Sequence, residues 1–347
     1  MQKLIINGKF LTQKITGVQR YAREVLRQLN NKSDITVTVI IPQGTADFSN
    51  EYPNIKFEVV GKHNGYYWEQ FEFAKYCKKH EDIPVLNMCN ISPFKIRNSF
   101  VVLHDTTFKD KNNYTSKLWS LRYKILVRSY INKVTKIFTD SLFTKNLIKK
   151  YYKKIQNDPV VTYIGYEQIE NIEIEELKDI PNNFIFSVGS VNPNKNFKYV
   201  LYLAKNNPNK NFIVSGKLNS DFDEIIKKEN ISNVKFTGYL SDGQLKYLYS
   251  KCDSFILPSF YEGFGIPPIE ALAAGCRKII LSDIEVFHEL YGDSVNYCNH
   301  LDYENTINLN NLKEISDEKV KELLNKYCWK NVTNIILSEI FEGYKNE

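Results

Sequence analysis

Short β-rich runs alternate with longer segments of helical period, and this alternation constrains the fold more than any other feature of the sequence. Examples are ITVTVII (35–41) and FVVLHD (100–105) in the first half, and FIFSVGS (184–190) and SFILPS (254–259) in the second. Runs that are apolar on both faces and alternate with helices indicate parallel strands covered on both sides. The predicted strands are 4–8, 35–41, 55–60, 85–88, 100–105, 136–141, 160–165, 184–190, 212–217, 234–239, 254–259 and 278–283. We therefore predict an α/β protein built on doubly wound parallel sheets.

The length of the chain predicts more than one domain. It has 347 residues, and a single hydrophobic core stops growing at roughly 250 to 300 residues. The alternation is weakest in the acidic segment EQIENIEIEELKDIPNN (167–183), which ends in Pro-Asn-Asn. Polar segments of this kind connect domains. We predict two domains joined by this linker.

Charge is distributed unevenly between the two halves. Residues 1–165 carry 27 Lys and Arg against 13 Asp and Glu, a net charge of +14, whereas the remaining residues carry 19 against 27, a net charge of −8. A strongly basic half indicates a polyanionic partner. A phosphate-bearing substrate, an anionic membrane surface and nucleic acid all have this property.

The sequence carries no signal for a metal site, a disulfide framework or a membrane span. Six cysteines show neither a CxxC pair nor metal-ligand spacing. The apolar stretch in MQKLIINGKF is too short for a signal peptide, and no run approaches the ~18 apolar residues of a membrane span. We expect a cytoplasmic protein with reduced cysteines.

The segment PSFYEGFGIPPIEALAAG (258–275) holds two glutamates, Glu262 and Glu270, around glycines and prolines. We predict a strand, a loop containing Glu262, and a helix that begins at the prolines and places Glu270 in its first turn. Gly263 and Gly265 let the backbone approach a ligand, and the helix N-terminus offers N–H groups to an anion. Carboxylates in such a place suit sugar hydroxyls, as in dinucleotide folds. A phosphorylated sugar is the predicted ligand.

A longer stretch, GYLSDGQLKYLYSKCDSFILPSFYEGFGIPPIEALAAG, resembles the donor-binding domain of family 4 retaining glycosyltransferases, whose signature is E-x7-E. Similar segments follow the family order along almost the whole chain: ITGVQRYAREVL, LHDTTF, SVGSVNPNKNF and the closing YCWKNVTNIILSEIFEGY. The resemblance implies the GT-B fold, with two Rossmann-like domains and an interdomain cleft. It implies an acceptor-binding domain over 1–172, a donor-binding domain over 173–327, and a C-terminal helix over 328–347 that crosses back to the first domain.

The resemblance also implies roles for individual residues at the donor. Glu262 would contact the hydroxyls of the transferred sugar near the reaction centre, and Glu270 the ribose of the nucleotide. Lys195 would bind the diphosphate. The remaining implied donor contacts are Gly263, the backbone N–H groups of Phe264, Gly265 and Ile266, the Gly17 loop of the opposite domain, and the backbone around Tyr239 and Leu240, which would meet the base.

Two further features complete the implied site. His104 and Asp105 would lie at the sugar or the acceptor, and they join Glu262 and Lys195 as the predicted catalytic residues, although Asp105 could equally cap the segment after it. Family members often pair an arginine with the lysine, whereas the neighbouring positions here are Ser190 and Asn194, which are predicted as donor-binding residues in its place. With a single cation, the diphosphate site is less positive than in those relatives.

The implied activity is the transfer of a hexose from a nucleotide-diphosphate-sugar to a glycan or lipid-linked glycan, with retention of configuration and without a metal or other cofactor. Synthesis of bacterial surface polysaccharide is the expected context, at the inner face of the membrane. A nucleotide-sugar epimerase of the same fold is one alternative. A non-catalytic module with a basic binding half is the other, although no nucleic-acid motif is present and no nucleic-acid partner is predicted.

The segment KLWSLRYKILVRSYINKVTK (117–136) leaves two interpretations open. It places one apolar arc on a helix, flanked by Lys and Arg; the arc comprises Trp119, Tyr123, Leu126, Val127, Tyr130, Ile131 and Val134. The arc could pack on the sheet of its own domain. It could instead dock to an anionic membrane that carries the acceptor.

Overall fold

A computed structural model describes residues 1–94, 96–110, 116–189, 192–216 and 220–341. The chain forms two compact units, one comprising Met1–Gly165 with Trp329–Glu347 and the other Tyr166–Cys328. Each unit is built on one parallel sheet with helices. The predicted α/β class with two doubly wound sheets is confirmed.

The sheet of the first unit has the order β3-β2-β1-β4-β5-β6-β7, all parallel. Its strands are β1 (Gln2–Asn7), β2 (Ile35–Ile41), β3 (Lys56–Val59), β4 (Val85–Asn87), β5 (Ser99–Val102), β6 (Lys136–Thr139) and β7 (Val160–Val161). The chain winds outward from β1 to β3 and then returns to place β4 on the other side of β1. The order therefore reverses between β1 and β4, where open parallel sheets bind their ligands at the carboxyl ends of the strands.

Helices cover this sheet and contribute its core. They are α1 (Gly17–Asn30), α2 (Gly65–Tyr67), a π-helical turn (Trp68–Phe73), α3 (Ala74–Lys78), α4 (Lys117–Tyr130) and α5 (Leu142–Tyr151). In α1 the buried Tyr21, Val25 and Leu29 recur every four residues, so they form one stripe. Full burial of an aliphatic side chain stabilises the fold by about 1.5–3 kcal/mol.

α4 shows which interpretation of its apolar arc holds. Val127, Tyr130, Ile131 and Val134 are buried in a core cluster, and Tyr123 packs against that cluster. The packing interpretation of the arc is therefore correct for these residues.

The second unit has a sheet of order β10-β9-β8-β11-β12-β13, also parallel. Its strands are β8 (Phe184–Val188), β9 (Asn211–Ser215), β10 (Val234–Gly238), β11 (Ser254–Leu257), β12 (Ile279–Ser282) and β13 (Asn296–Cys298). Its helices are α6 (Phe197–Asn206), α7 (Ser220–Lys228), α8 (Asp242–Lys251), α9 (Ile266–Ala273), α10 (Glu285–Tyr291) and α11 (Asp317–Lys326). The order reverses between β8 and β11, which marks the switch point of this unit. The short strand β13 was not predicted, because its sequence NYC lacks a β-branched run.

The second unit begins at Tyr166, six residues before the predicted end of the first domain at residue 172. The predicted linker, 167–183, therefore starts inside the second unit. Gln168 and Ile169 are buried, and the Gln168 amide donates to the Glu270 carboxylate. These contacts hold the start of the acidic segment in the second unit.

The last described helix, α12 (Trp329–Ile340), belongs to the first unit. Trp329 is fully buried there and packs edge-to-face on Tyr21, with ring centroids 5.3 Å apart. A Cβ at Gly165 would lie 2.4 Å from the Trp329 backbone nitrogen. Only glycine therefore fits at position 165.

Candidate active site

Lys195 is presented by a short turn that follows β8. The chain passes through Gly189 and a 3-10 turn, Pro193–Lys195, to Asn196, which adopts a left-handed conformation with φ of 52°. A Cβ at Gly189 would lie 3.2 Å from Cγ of Lys195, so the lysine stem passes over this glycine. The predicted donor residue Ser190 lies outside the described residues.

Glu262 lies in the loop after β11, on the other strand of the switch point. Its Oε1 accepts from Lys195 Nζ at 2.6 Å and from Ser259 Oγ at 2.7 Å. The Glu262 and Lys195 side chains are only 9% and 16% exposed. Its second oxygen, Oε2, accepts no hydrogen bond from the described residues. The structure thus joins Lys195 and Glu262, two predicted catalytic residues, in one nearly buried ion pair.

Backbone contacts tie the Lys195 turn to the Glu262 loop. Phe260 N donates to Asn194 O at 2.8 Å, and the Asn194 amide donates to Tyr261 O at 3.3 Å. The buried Asn196 amide donates to Pro258 O at 3.1 Å and to His300 O at 2.9 Å. The two segments are therefore held as one rigid support for the ion pair. Sequence reasoning missed Asn196, although an Asn before a helix is a candidate for the left-handed conformation.

Gly265 shapes the end of the loop at the N-terminus of α9. Its φ is +87°, and a Cβ there would lie 2.9 Å from the ring of Phe287. α9 begins at Ile266 and has two prolines in its first turn, as predicted, but Glu270 is its fifth residue and lies beyond the first turn, in which it was expected. Its first backbone N–H groups have no partner within the helix, so this end of α9 suits an anion.

The other residues of the loop have different environments. Phe264 is buried and packs edge-to-face on Tyr327, at a centroid distance of 5.4 Å. Its side chain therefore supports the loop, and its backbone is the part predicted to face the donor. Gly263 lies between Glu262 and Phe264, and its role toward a ligand stays a prediction.

Glu270 is held in a separate set of hydrogen bonds. Its Oε1 accepts from Gln168 Nε2 at 2.8 Å, and its Oε2 accepts from the Tyr249 hydroxyl at 3.1 Å. All three residues are buried. Sequence reasoning missed Gln168 and Tyr249, because both lie far from Glu270 in the chain. A ribose hydroxyl would have to share this carboxylate with them.

The predicted base-binding segment follows β10. Gly238, at the end of this strand, has a φ of +74°. Its carbonyl accepts a hydrogen bond from the backbone N–H of Gly216. Tyr239 is 68% exposed, and Leu240 is partly exposed. The Tyr239 ring thus offers an accessible aromatic face on which a base could stack.

In the first unit, His104 is held on both sides of its ring. Nε2 donates to the Met88 carbonyl at 2.8 Å, and Nδ1 lies 2.8 Å from Oδ2 of Asp140. Burial alone would lower the pKa of His104, but the Asp140 charge and these hydrogen bonds outweigh it and raise that pKa. Burial also raises the pKa of Asp140. The Met88 carbonyl can only accept, so Nε2 carries a proton, and the raised pKa of His104 favours a second proton on Nδ1, which faces Asp140.

Asp105 and Gly17 have local structural roles. Oδ1 of Asp105 accepts from the backbone N of Thr107 at 2.8 Å and from its hydroxyl at 2.6 Å, so its side chain fixes the turn that leads into the 3-10 turn Thr107–Lys109. Gly17 is the exposed first residue of α1, after the capping residue Thr16. The roles of Gly17, His104 and Asp105 toward a ligand stay predictions.

Neither a metal-binding cluster nor a helix able to span a membrane occurs among the described residues. No group of three or more His, Cys, Asp or Glu side chains there is placed to hold a metal ion. No helix in the same part of the chain has the length and hydropathy needed to cross a bilayer.

Comparison with known sequences points to one family. Residues 168–300 match the family described as Glycosyl transferases group 1. The O-antigen chain mannosyltransferase RfbU of Salmonella typhimurium is 29% identical over 229 residues, which cover 64% of this chain and 60% of RfbU. The O-antigen chain mannosyltransferase B of Escherichia coli is 30% identical over 108 residues, 29% of this chain and 28% of that protein. The matches therefore span less than two thirds of these relatives.

Solved structures match nearly the whole chain. Sucrose-phosphate synthase from Thermosynechococcus elongatus has a TM-score of 0.73 at 12% identity, covering 97% of both chains. Anabaena HepE in complex with UDP and glucose has a TM-score of 0.70 at 15% identity, covering 97% and 98%. WaaG, a glycosyltransferase involved in lipopolysaccharide biosynthesis, has a TM-score of 0.59 at 15% identity, covering 100% of this chain and 97% of its own. At these identities the likeness establishes the fold, and the predicted GT-B fold is confirmed.

Proposed function

We propose that the chain is a glycosyltransferase of the glycosyl transferases group 1 family, which residues 168–300 match, and that it transfers a sugar from a nucleotide-diphosphate-sugar to a glycan acceptor. The Lys195–Glu262 pair at the switch point of the second unit carries this assignment. It combines a cation suited to a diphosphate with a carboxylate suited to sugar hydroxyls. The mannosyltransferase relatives support a role in bacterial surface polysaccharide synthesis.

Donor binding changes the partner of Lys195. The diphosphate replaces Glu262 as the anion beside Lys195 Nζ. The carboxylate of Glu262 then accepts from sugar hydroxyls through Oε2, while Ser259 continues to hold Oε1. Glu270, Tyr239 and Leu240 would contact the ribose and base. In the absence of donor, Glu262 therefore occupies the position beside Lys195 that the diphosphate takes when the donor binds.

Cleavage of the sugar–phosphate bond builds negative charge on the leaving diphosphate. Lys195 and the N–H groups of Phe264, Gly265 and Ile266 stabilise this charge without reorganisation, and removing one such donor costs about 3 kcal/mol. The acceptor hydroxyl attacks on the face from which the phosphate departs. Its proton passes to the leaving phosphate oxygen, so the configuration of the sugar is retained. No metal is required in this scheme, because the lysine and the backbone dipoles supply the positive charge.

A transfer assay tests this proposal. Purified protein is incubated with GDP-mannose, UDP-glucose or another nucleotide sugar, with mannose oligosaccharides as acceptors and with EDTA throughout. We expect one donor to yield a glycosylated product with the anomeric configuration of the donor in NMR spectra. Glu262→Gln should abolish product, whereas the exposed Glu176→Gln should not. Product that needs a divalent metal, or an inverted anomer, would contradict the mechanism.

The two alternatives give different results in the same assay. A nucleotide-sugar epimerase would convert the donor sugar in water without an acceptor. A non-catalytic module would bind without turnover.

We also propose peripheral contact with an anionic membrane, through the face of α4 opposite its core arc. Leu118, Leu121 and Ile125 lie there at helical spacing and are 78%, 55% and 61% exposed. This face was not the arc that the sequence suggested for docking. Exposed apolar side chains in a contiguous strip mark an interaction site.

The charges beside this strip favour a bilayer over a protein partner. Lys109, Lys124 and Arg128 form no ion pair with any described residue. Burial, together with the positive charges of Lys124 and Arg128, lowers the pKa of Lys109. These cations therefore repel one another and would be stabilised by anionic lipid headgroups.

A further inference from the structure

The switch point of the first unit also carries buried polar side chains. Asn7 ends β1 and Asn87 ends β4, the two strands between which the strand order reverses. The Asn7 amide donates to Oδ1 of Asn87 at 3.1 Å and to Oε1 of Glu69 at 2.9 Å. All three side chains are buried. Because ligands bind at switch points in open parallel sheets, these residues mark a second site in the chain.

A nearly buried ion pair extends this site. Lys9 Nζ lies 2.6 Å from Oε2 of Glu69, and the two side chains are 12% and 4% exposed. Both oxygens of Glu69 are thus occupied, one by Asn7 and one by Lys9. Burying two charges costs about as much free energy as their attraction returns, so such a pair is weak evidence of a stabilising role. Its place at the switch point favours a ligand-binding role instead.

The Tyr66 ring contacts two cationic side chains, those of Lys9 and Arg122. Lys9 Nζ lies 4.0 Å from the centroid of the Tyr66 ring, and Cζ of Arg122 lies 3.7 Å from the same centroid. The Arg122 side chain is exposed, and it forms no ion pair with a residue that the structure describes. Since Glu69 is already bound by Lys9, the charge of Arg122 is uncompensated.

These four residues, Lys9, Tyr66, Glu69 and Arg122, are here named the Tyr66 cluster. We propose that the Tyr66 cluster binds the acceptor through an oxyanion that the acceptor carries, either a phosphate ester or a carboxylate. The planar guanidinium of Arg122 offers two parallel N–H donors to such a group, and because Lys9 offsets the charge of Glu69, the cluster keeps a net positive charge. The inference rests on the proposed function, because it names the chemistry of the acceptor.

Small probes test the site directly. Phenyl phosphate, phenyl glucuronide and the neutral phenyl glucoside are titrated into a Lys195→Met chain, in which the proposed diphosphate cation is absent. Side-chain N–H signals of arginine report binding by NMR. We expect at least one charged probe to shift the Arg122 signal, and the tighter of the two identifies a phosphate or a carboxylate as the recognised group. A neutral glucoside that binds as tightly as both charged probes would overturn the proposal.

Matched variants locate the binding. Arg122→Gln should weaken the charged probe about tenfold or more. Arg97→Gln, in the same unit and 85% exposed beside Glu81, should leave it unchanged. Equal affinities in Arg122→Gln and the parent chain would refute the site. Tyr66→Phe keeps the ring and should bind like the parent, whereas Tyr66→Leu should bind more weakly.

A separate titration distinguishes failure of this inference from failure of the proposed function. A nucleoside diphosphate should bind Arg122→Gln as it binds the unaltered chain, because the proposed donor site lies in the second unit. A chain that binds phenyl phosphate through Arg122 but no nucleoside diphosphate would contradict the proposed function and support the oxyanion site. If a nucleoside diphosphate binds but no charged probe shifts the Arg122 signal, the oxyanion site is refuted and the proposed function is not.

Discussion

Replacing Lys195 by methionine should destabilise the second unit, and the effect should depend on Glu262. The substitution leaves a carboxylate that is only 9% exposed without its cation. Removal of one partner from a buried pair costs 3–5 kcal/mol, and we expect about 3 kcal/mol because Ser259 still donates to Glu262. Glu262→Gln leaves the more exposed lysine, which can reach water, and should cost about 1 kcal/mol.

The double variant, Lys195→Met with Glu262→Gln, isolates the interaction. Since no charge is then left unpaired, it should be more stable than the sum of the single losses predicts, by about 2 kcal/mol. Urea denaturation of the four proteins, followed by far-UV circular dichroism at pH 7, measures this coupling. Glu176→Gln serves as the control for loss of an exposed carboxylate. Single effects that add to within about 0.5 kcal/mol would refute the reasoning, because they would show that the two side chains do not interact.

Three further predictions concern other parts of the molecule. The pKa of His104 is raised in the folded protein, so protonated His104 stabilises the fold. This contribution to the free energy of unfolding is complete below the unfolded pKa of about 6.5 and is lost as the pH rises through the folded pKa. The excess unfolding free energy of the wild type over Asp140→Asn should therefore fall between pH 6 and pH 9 in urea titrations, and a rise would contradict the assigned charge. Gly265→Ala should lose about 2 kcal/mol of stability, since its left-handed φ of +87° and the neighbouring ring both oppose a Cβ; an unchanged melting temperature would contradict this. Leu121→Gln should weaken sedimentation with vesicles of anionic lipid about tenfold, whereas the exposed Val59→Gln on β3 should not; equal losses would argue against docking through α4.

Features that depend on neighbouring residues in the sequence were predictable. The loop and helix around Gly265 follow from a strand, two glycines and two prolines within one short segment. The strand rhythm predicted both sheets, because fully buried parallel strands are apolar on both faces. Only β13 was not predicted, because a three-residue strand without β-branched residues cannot be distinguished from a loop by its sequence.

Features that depend on distant pairing were not predictable from one sequence. Lys195 and Glu262 are 67 positions apart, and His104 and Asp140 are 36 apart. Their meeting depends on which strands are adjacent in the sheet, and the spacing of residues along the chain does not encode that order. The engagement of both ring nitrogens of His104 was invisible for the same reason.

The helix α4 shows a third limit. Its core arc was recognised by period, but Leu118, Leu121 and Ile125 form a second apolar strip on the opposite face. A helix that is apolar on two sides has a weak directional pattern, so the sequence could not separate the buried face from the exposed one.

The central claim is that Lys195 binds the diphosphate of a nucleotide donor. Calorimetric titration of wild type and Lys195→Met with matched nucleoside diphosphates and monophosphates, such as UDP with UMP and GDP with GMP, tests it most directly. The second phosphate should raise affinity in the wild type, and this gain should shrink about tenfold or more in the variant. The same gain in both proteins, or no binding of any nucleoside diphosphate, would contradict the account.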